Sequence, residues 1–202
     1  MPETSRKLGQ VKITQVQPIG LKHIVSGNSI YDSSRIVAVP LLYLSSLGVE
    51  GQDEQGERSL DIHHADHPKT RNKGVNGISI GFTSHYQVMR SRFGDHMQDG
   101  VAGENIIIEC DQEIWLPDLG RIVEFRNPET GKIVSLDVNK PAAPCDEFCH
   151  FAADRPGQRL PANELKETLQ FLGDGRRGFL LTQGADQETG LVQPGDIVYA
   201  IS

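Results

Sequence analysis

Short apolar, β-branched segments separated by turns recur along most of this 202-residue chain, which holds 21 glycines and 11 prolines. The clearest unit joins residues 121–125 to residues 133–138 through Asn127-Pro-Glu-Thr-Gly131, a strong β-hairpin signal. Further strands are predicted in residues 11–16, 34–44, 103–108, 178–182 and 190–201. Strands in adjacent hairpins favour a sheet that closes on itself. The sequence therefore predicts a mainly β (α+β) fold, a barrel with a few peripheral helices.

Two segments have helical periodicity instead. Thr83–Phe93 places Tyr86 and Met89 on one face, with Thr83 predicted as the N-cap and Gly94 as the stop. Residues 163–172 carry leucines at helical spacing and end before Gly173. We expect both helices to pack on the outside of the barrel.

One domain is predicted over residues 1–202, with residues 1–10 as a flexible tail, because the length suits one core and no low-complexity linker interrupts it. Residues 48–77 form a polar segment that is long for a loop inside a compact domain. We expect that segment to be functional or mobile.

The net charge of −7 and the short basic clusters predict no nucleic-acid partner, since an acidic surface repels a phosphate backbone. No apolar stretch reaches the ~20 residues needed to cross a bilayer, so no membrane association is predicted. The polar N-terminus lacks a signal-peptide pattern, and three cysteines without an export signal suggest reduced thiols. These features predict a cytoplasmic protein.

Cys145 is the leading candidate for chemistry. It lies in Pro144-Cys145-Asp146-Glu147-Phe148-Cys149-His150, where the residues after the thiol can form one or two helical turns with Phe148 facing the core. A helix N-terminus favours the thiolate, whereas the two following carboxylates oppose it. The alternative is a small buried hydrophobic residue. A structural zinc site would need a second pair of ligands, which this motif does not supply.

Two other segments carry candidate ligands. His63-His64-Ala65-Asp66-His67 offers imidazoles for a metal, with carboxylates at Asp61 and Asp66, although the following Pro68 and the polar surroundings also fit a solvated loop. Gly100-Val-Ala-Gly-Glu-Asn105 is a tight turn before a strand, in which Glu104 and Asn105 can orient a ligand or simply cap the turn.

Taken in order, these motifs resemble the MOSC domain, the C-terminal module of molybdenum-cofactor sulfurases that also occurs alone in bacteria. The matching features, from about residue 11 onward, are Gly48-Val-Glu-Gly51, the helix after Ile78-Ser-Ile-Gly-Phe, Gly103-Glu104-Asn105, Pro144-Cys145, Gly175-Arg176-Arg177-Gly178-Phe179, and Gly190 through Gly195-Asp196-Ile-Val. One stretch departs from the pattern. Where many members carry a His-Gly-Gly motif before the first helix, this chain has Lys73-Gly-Val-Asn-Gly-Ile78.

The resemblance implies a barrel-like fold that binds the molybdenum cofactor (molybdopterin). It implies that Cys145 ligates molybdenum or carries sulfur as a persulfide, roles that suit a soft thiolate. It also implies that Glu104 and Asn105 line the cofactor pocket, and that Arg176 or Arg177 lies near the pterin phosphate, which an Arg fork fits.

Two activities follow from the resemblance. The first is a molybdenum-dependent reductase that removes oxygen from N-hydroxylated small molecules, which requires an electron-donor protein because the chain has no redox motif of its own. The second is a sulfur carrier for a partner molybdoenzyme, since the pyridoxal-phosphate domain of full-length sulfurases is not in this sequence. The alternatives are a non-catalytic carrier of the cofactor or another anion, and a scaffold that has lost the cofactor.

Overall fold

The computed structural model describes residues 4–71 and 77–202, which form fourteen strands, three α-helices and two 3-10 helices. The strands are β1 Ser5–Val16, β2 Lys22–Val25, β3 Asn28–Tyr31, β4 Val37–Ala38, β5 Leu41–Ser45, β6 Gly48–Gln52, β7 Arg58–Leu60, β8 Ile78–Phe82, β9 Ile106–Glu109, β10 Ile122–Arg126, β11 Ile133–Pro141, β12 Phe179–Thr182, β13 Gly190–Val192 and β14 Ile197–Ile201. The helices are α1 Thr83–Phe93, α2 Asp146–Ala152 and α3 Ala162–Leu172, and the 3-10 helices are Ser33–Arg35 and Leu116–Leu119.

Seven strands close into a barrel in the order β1-β14-β10-β11-β12-β8-β9, with β9 returning to β1. Neighbouring strands of this ring are antiparallel except for β8 and β9, which run parallel and are connected through α1. β1 has register shifts between Lys7 and Gly9 and between Val11 and Ile13. Such bulges bend a strand. One long strand can therefore pair with β14 through its first half and with β9 through its second.

Two smaller sheets complete the fold. β13, β5, β6 and β7 form a four-stranded sheet, and β2 and β3 form a separate hairpin. The hairpin turn is Ser26-Gly27, both with positive φ (50° and 83°), as expected of the tight turn that matches strand twist. The hairpin packs against α2 through Tyr31, whose ring meets the ring of Phe148 edge-on at 5.1 Å between centroids.

The buried apolar side chains form two cores. One fills the barrel and reaches the four-stranded sheet, with residues such as Ile80, Phe125 and Leu44 fully buried. The other lies between the barrel wall and the helices, and it includes Tyr86, Ile107 and Phe148. Ile106, Ile107 and Ile108 are all buried because β9 has a core on each of its faces. This second core is the one that borders the candidate site.

The structure confirms the predicted fold class and most predicted elements. The hairpin is β10–β11, in antiparallel register. The first helix is Thr83–Phe93, and the predicted second helix corresponds to α3, Ala162–Leu172. Thr83 is not the N-cap: Phe82 holds that position, and the Thr83 hydroxyl donates to the carbonyl of Cys110 at 3.1 Å.

Two expectations about irregular segments were wrong. Residues 5–10 are not a flexible tail, because they pair with β14 as part of β1. The polar segment after Gly48 is not one long loop, since β6 and β7 occupy much of its first half and pair with each other. No helix in residues 4–71 and 77–202 is long and apolar enough to span a membrane.

Candidate functional site

A small cleft opens beside the start of β9, where the loop before β9 meets the loop between β11 and α2. Its volume is about 80 Å³, and its lining residues are Gln17, His63, Gly77, Ser79, Ala102, Gly103, Glu104, Asn105, Ala142, Arg177 and Leu180. Four of the residues singled out in the sequence, His63, Glu104, Asn105 and Arg177, lie together here.

Glu104 is a buried carboxyl group in the wall of this cleft, with 3% of its surface exposed. Tyr86 of α1 donates its hydroxyl hydrogen to Glu104 Oε2 at 2.7 Å, and Oε1 has no hydrogen-bond partner among the described residues. A Cβ atom on Gly81 would lie 2.7 Å from Oε1, so a larger residue there would displace the carboxyl group. Burial raises the pKa of Glu104 to about 7, although hydrogen bonds and Arg177 act in the opposite direction.

Asn105 is fixed from three sides. Its Oδ1 accepts from the backbone N–H and the hydroxyl of Ser79, and its Nδ2 donates to Asp61 Oδ2 at 3.0 Å. Asp61 is fully buried, and it also accepts from the backbone N–H of Gln17. Its Oδ1 pairs with His63 Nδ1 at 2.9 Å and orients that imidazole at the cleft. These side chains therefore form one fixed polar network.

Arg177 connects the two loops that border the cleft. Its Nη2 donates to the carbonyl of Ala102 at 3.1 Å, and its Nη1 donates to the carbonyl of Ala143 at 2.9 Å. Ala102 lies two residues before Glu104, and Ala143 lies two residues before Cys145. The guanidinium also lies over the ring of Phe148, at 5.2 Å from the centroid. Its Nε is buried without a hydrogen-bond partner among the described residues.

Cys145 is the N-cap residue of α2, with extended backbone angles (φ −108°, ψ 163°), and it is partly exposed. Phe148 of the same helix is fully buried, as the sequence predicts. Burial lowers the pKa of Lys22 on β2, but the nearby Cys145 and Glu147 side chains outweigh it, and the net pKa is raised. Lys22 also forms a 3.1 Å ion pair with Glu147 Oε2. The thiol therefore lies at a junction between α2 and the β2–β3 hairpin.

The other two thiols have different surroundings. Cys149 is fully buried, and burial raises the pKa of its thiol to about 12. Cys110 packs partly against the barrel core, and its thiol lies 3.2 Å from the carbonyl of Gln112. Burial also raises the pKa of Cys110. Both thiols therefore stay protonated at neutral pH.

Arg176 is not brought to the cleft. It lies on the far side of the 175–178 turn, where its guanidinium packs 4.3 Å from the ring centroid of Phe171 and 5.1 Å from that of Trp115. Its Nη2 donates to Glu113 at 3.3 Å, and its Nη1 donates to the carbonyl of Phe171 at 2.5 Å. Of the two arginines expected near the pterin phosphate, Arg177 lines the cleft and Arg176 does not.

The three histidines proposed as metal ligands instead form hydrogen bonds with other protein groups. His64 Nδ1 accepts from the N–H of Asp66 at 3.2 Å, and His67 Nε2 lies 3.1 Å from the carbonyl of Pro18. Within residues 4–71 and 77–202, no three His, Cys, Asp or Glu side chains are grouped for a metal ion. Of the stretch Lys73-Gly-Val-Asn-Gly-Ile78, residues 73–76 lie outside the described residues.

Sequence reasoning missed Lys22, and it missed Tyr86 as a partner of Glu104. It considered Asp61 as a carboxylate for a metal site, not as the acceptor that holds Asn105. A turn signal for the β2–β3 hairpin was present in Ser26-Gly27-Asn28, between two short apolar runs. That signal predicts the hairpin but not its contact with α2. The bonds from His63 to Asp61 are local, but the bonds from Gln17 and Asn105 come from residues 44 positions away, which no local signal predicts.

Comparisons with known proteins agree with this architecture. A family model described as MOSC domain matches residues 76–199, which is more than half of the chain. The solved structure of YuaD from Bacillus subtilis is 13% identical, with a TM-score of 0.54 over 99% of this chain and 97% of that one. A protein described as hypothetical is 15% identical, with a TM-score of 0.54 over 98% of this chain and 70% of that one. YiiM from Geobacillus stearothermophilus is 12% identical, with a TM-score of 0.46 over 97% and 75%. At such identities the first two structures show a shared fold alone, and the comparison with curated proteins finds no match.

Proposed function

This chain belongs to the MOSC domain family, and from that membership we propose that it binds the molybdenum cofactor beside Cys145. The observation that carries the proposal is the position of Arg177. Its guanidinium donates to the carbonyls of Ala102 and Ala143, and so holds the Glu104-Asn105 segment close to the loop that leads to Cys145. That loop lines the cleft at Ala142, three residues before Cys145, and the Cys145 side chain is not part of the lining.

The donor set fits such a ligand. Cys145 offers a soft sulfur donor that is partly exposed. Arg177 Nε and Glu104 Oε1 are buried polar atoms with no partner among the described residues, which is the state expected of groups that meet a polar ligand. The 80 Å³ enclosed by the cleft suits only one end of a pterin, so a complete cofactor extends beyond it.

Within this site Arg177 would hold the anionic end of the cofactor, and Asn105 and Ser79 would keep the cleft wall rigid. Cys145 would supply the protein sulfur to the metal, or would carry a sulfur atom for delivery to another molybdoenzyme. When bound, the cofactor supplies two-electron redox chemistry. The chain itself supplies an acid, since Glu104 has a pKa of about 7 and can hold a proton at neutral pH.

The reductase activity that we propose is the removal of oxygen from an N-hydroxylated compound. An N–O bond breaks, and the substrate takes up two electrons and two protons to give the amine and water. The electrons come from a separate electron-donor protein. The sulfur-carrier activity needs no electron donor and instead predicts a persulfide on Cys145. The two activities therefore require different partners.

The first experiment is metal and pterin analysis of the protein expressed in a host that makes molybdenum cofactor. We expect near-stoichiometric molybdenum in the wild type and in Cys110→Ser, a thiol outside the site, and loss of molybdenum in Cys145→Ser. Equal molybdenum in all three proteins would remove the thiol from the binding site. Molybdenum absent from all three would contradict stable cofactor binding and favour a transient carrier, which mass spectrometry tests through a Cys145 persulfide.

A further inference from the structure

A second, larger cavity lies where β11 and β12 separate. The pairing of β11 with β12 begins at Asp137, so residues 133–136 of β11 have no β12 partner. After Thr182 the chain continues through residues 183–189 and returns as β13, which pairs with β5 in the four-stranded sheet. The space between this connection and the first half of β11 is about 470 Å³. Small-molecule sites in proteins typically have volumes of about 300–1,000 Å³.

Two exposed apolar side chains line this cavity. Ile133 at the start of β11 is 55% exposed, and Leu191 of β13 is 37% exposed. A Cβ atom on Gly190 would lie 2.5 Å from Val134 Cγ1, so a glycine allows the start of β13 to lie close against β11. The two strands therefore present apolar surface that the protein itself leaves uncovered, and burial of that surface favours an apolar ligand.

Gln183 supplies a buried polar group to the same lining, with 6% of its surface exposed. Its Nε2 donates to the carbonyl of Glu188 at 2.7 Å, which fixes the orientation of the amide. Its Oε1 is buried with no hydrogen-bond partner among the described residues. Buried acceptors are rarely left unpaired, so this oxygen suits a ligand that brings a donor. The charged residues of the lining are Lys132 and Glu188, one of each sign, which favours a neutral ligand.

We propose that this cavity is a binding site for a neutral apolar ring that carries one N–H donor, of which indole is the simplest example. The ring packs against Ile133 and Leu191, and the N–H donates to Gln183 Oε1. An apolar pocket with a single well-placed polar group is the usual composition of a small-molecule site. The cavity shares no lining residue with the cleft beside Glu104, so this site is separate from the proposed cofactor site.

The test is a titration of the ¹⁵N-labelled protein with indole and with 1-methylindole, which keeps the ring but lacks the N–H, followed by NMR. We expect indole to shift the amide signals of Ser135, Gln183 and Leu191, and to bind about fivefold more tightly than 1-methylindole. Gln183→Met keeps the length of the side chain without its acceptor, and it should bring the two affinities within about twofold of each other. Gln98→Met, which removes an amide that bonds the carbonyl of Asp95 outside the cavity, is the matched control and should keep the wild-type preference.

No indole binding, or equal affinity for the two probes in the wild type, would overturn the proposal, as would an unchanged preference in Gln183→Met. If Gln183→Met is poorly folded by circular dichroism, Ile133→Trp takes its place, because this exposed position can hold a large side chain that fills the cavity. Indole binding should then be lost, and indole binding of wild-type strength in Ile133→Trp contradicts the site. The titration uses cofactor-free protein, so its result is independent of whether the chain binds molybdenum.

Discussion

Tyr86 donates its hydroxyl hydrogen to Glu104 Oε2 at 2.7 Å and at the same time accepts the backbone N–H of Ala102 at 3.1 Å. The phenol thus joins the crossover helix α1 to the loop that forms one wall of the cleft. Both side chains are buried. Because Oε2 accepts the bond from Tyr86, Oε1 is the carboxyl oxygen of Glu104 that has no partner among the described residues.

Glu104 gives the protein a pH-dependent stability. Its folded-state pKa of about 7 lies above its ordinary value of 4.5, so the folded state keeps a proton that the unfolded state loses. The contribution of Glu104 to the free energy of unfolding is therefore fully present below pH 4.5. It is lost as the pH rises toward 7, by about 3 kcal/mol in total. Glu104→Gln should flatten this fall in urea unfolding at pH 5, 6, 7 and 8. The control Glu109→Gln, at the exposed end of β9, should keep the wild-type slope; a wild-type slope in Glu104→Gln would refute the assignment.

Tyr86→Phe should destabilise the fold, because it leaves the Ala102 N–H and Glu104 Oε2 without their partner. A buried polar group left unsatisfied costs about 1–3 kcal/mol. Urea denaturation measures the loss. Tyr43→Phe is the matched control, since the Tyr43 hydroxyl contacts Gln52 at 2.6 Å in a part-buried position on the four-stranded sheet. We expect its loss to be below about 1 kcal/mol, and equal losses in the two variants would count against a special role for Tyr86.

Arg177→Lys should loosen the two loops of the cleft together. An ammonium group lacks the planar fork that reaches the carbonyls of Ala102 and Ala143 at once. Hydrogen exchange should become faster at the amides of Gly103 and Ala142, which bond to Gly100 and Gly178. Arg126→Lys, which alters an ion pair with Glu124 on the barrel surface, is the control. Faster exchange in only one of the two loops would contradict the connecting role.

Asp61→Asn should lower the free energy of unfolding strongly, although it changes only one carboxylate oxygen to an amide nitrogen. The carboxylate accepts from the backbone N–H groups of Gln17 and His63 and from the side chains of His63 and Asn105. An amide at this position turns one acceptor into a donor that faces other donors, so we expect a loss of about 3 kcal/mol in thermal or urea unfolding. Asp53→Asn, in an exposed turn that accepts from Gln55 and Glu57, should cost much less. Similar losses would show that burial of Asp61 is unimportant.

Local patterns predicted the elements that depend on near neighbours. α1 was recognisable from the spacing of Tyr86, Met89 and Phe93 before Gly94, and β10–β11 from the turn between them. Cys145 at the start of a short helix also followed from Pro144 and Phe148. Each of these features is determined within about ten residues of chain, which is the range over which propensity and periodicity act.

The remaining features depend on contacts between distant segments. Lys22 and Glu147 are 125 positions apart, and nothing near either residue in the sequence indicates the other. Arg176 and Arg177 have the same chemistry and adjacent positions, so only their surroundings separate them. The Arg176 side chain packs against Trp115 and Phe171, whereas the Arg177 side chain lies at the cleft. The closing strand pairs, such as β1 with β14, are similarly non-local.

The parallel pair β8–β9 has a consequence for how the site can vary. Parallel neighbours cannot be joined by a tight turn, so the chain must leave the barrel and return through a crossover. Here the crossover contains α1, and α1 carries the phenol that bonds the carboxyl group at the start of β9. Substitutions that shift α1 along the barrel will therefore change the pKa of Glu104, although none of them replaces a residue that lines the cleft. The parallel strand pair of the barrel and the pKa of Glu104 are therefore linked through α1.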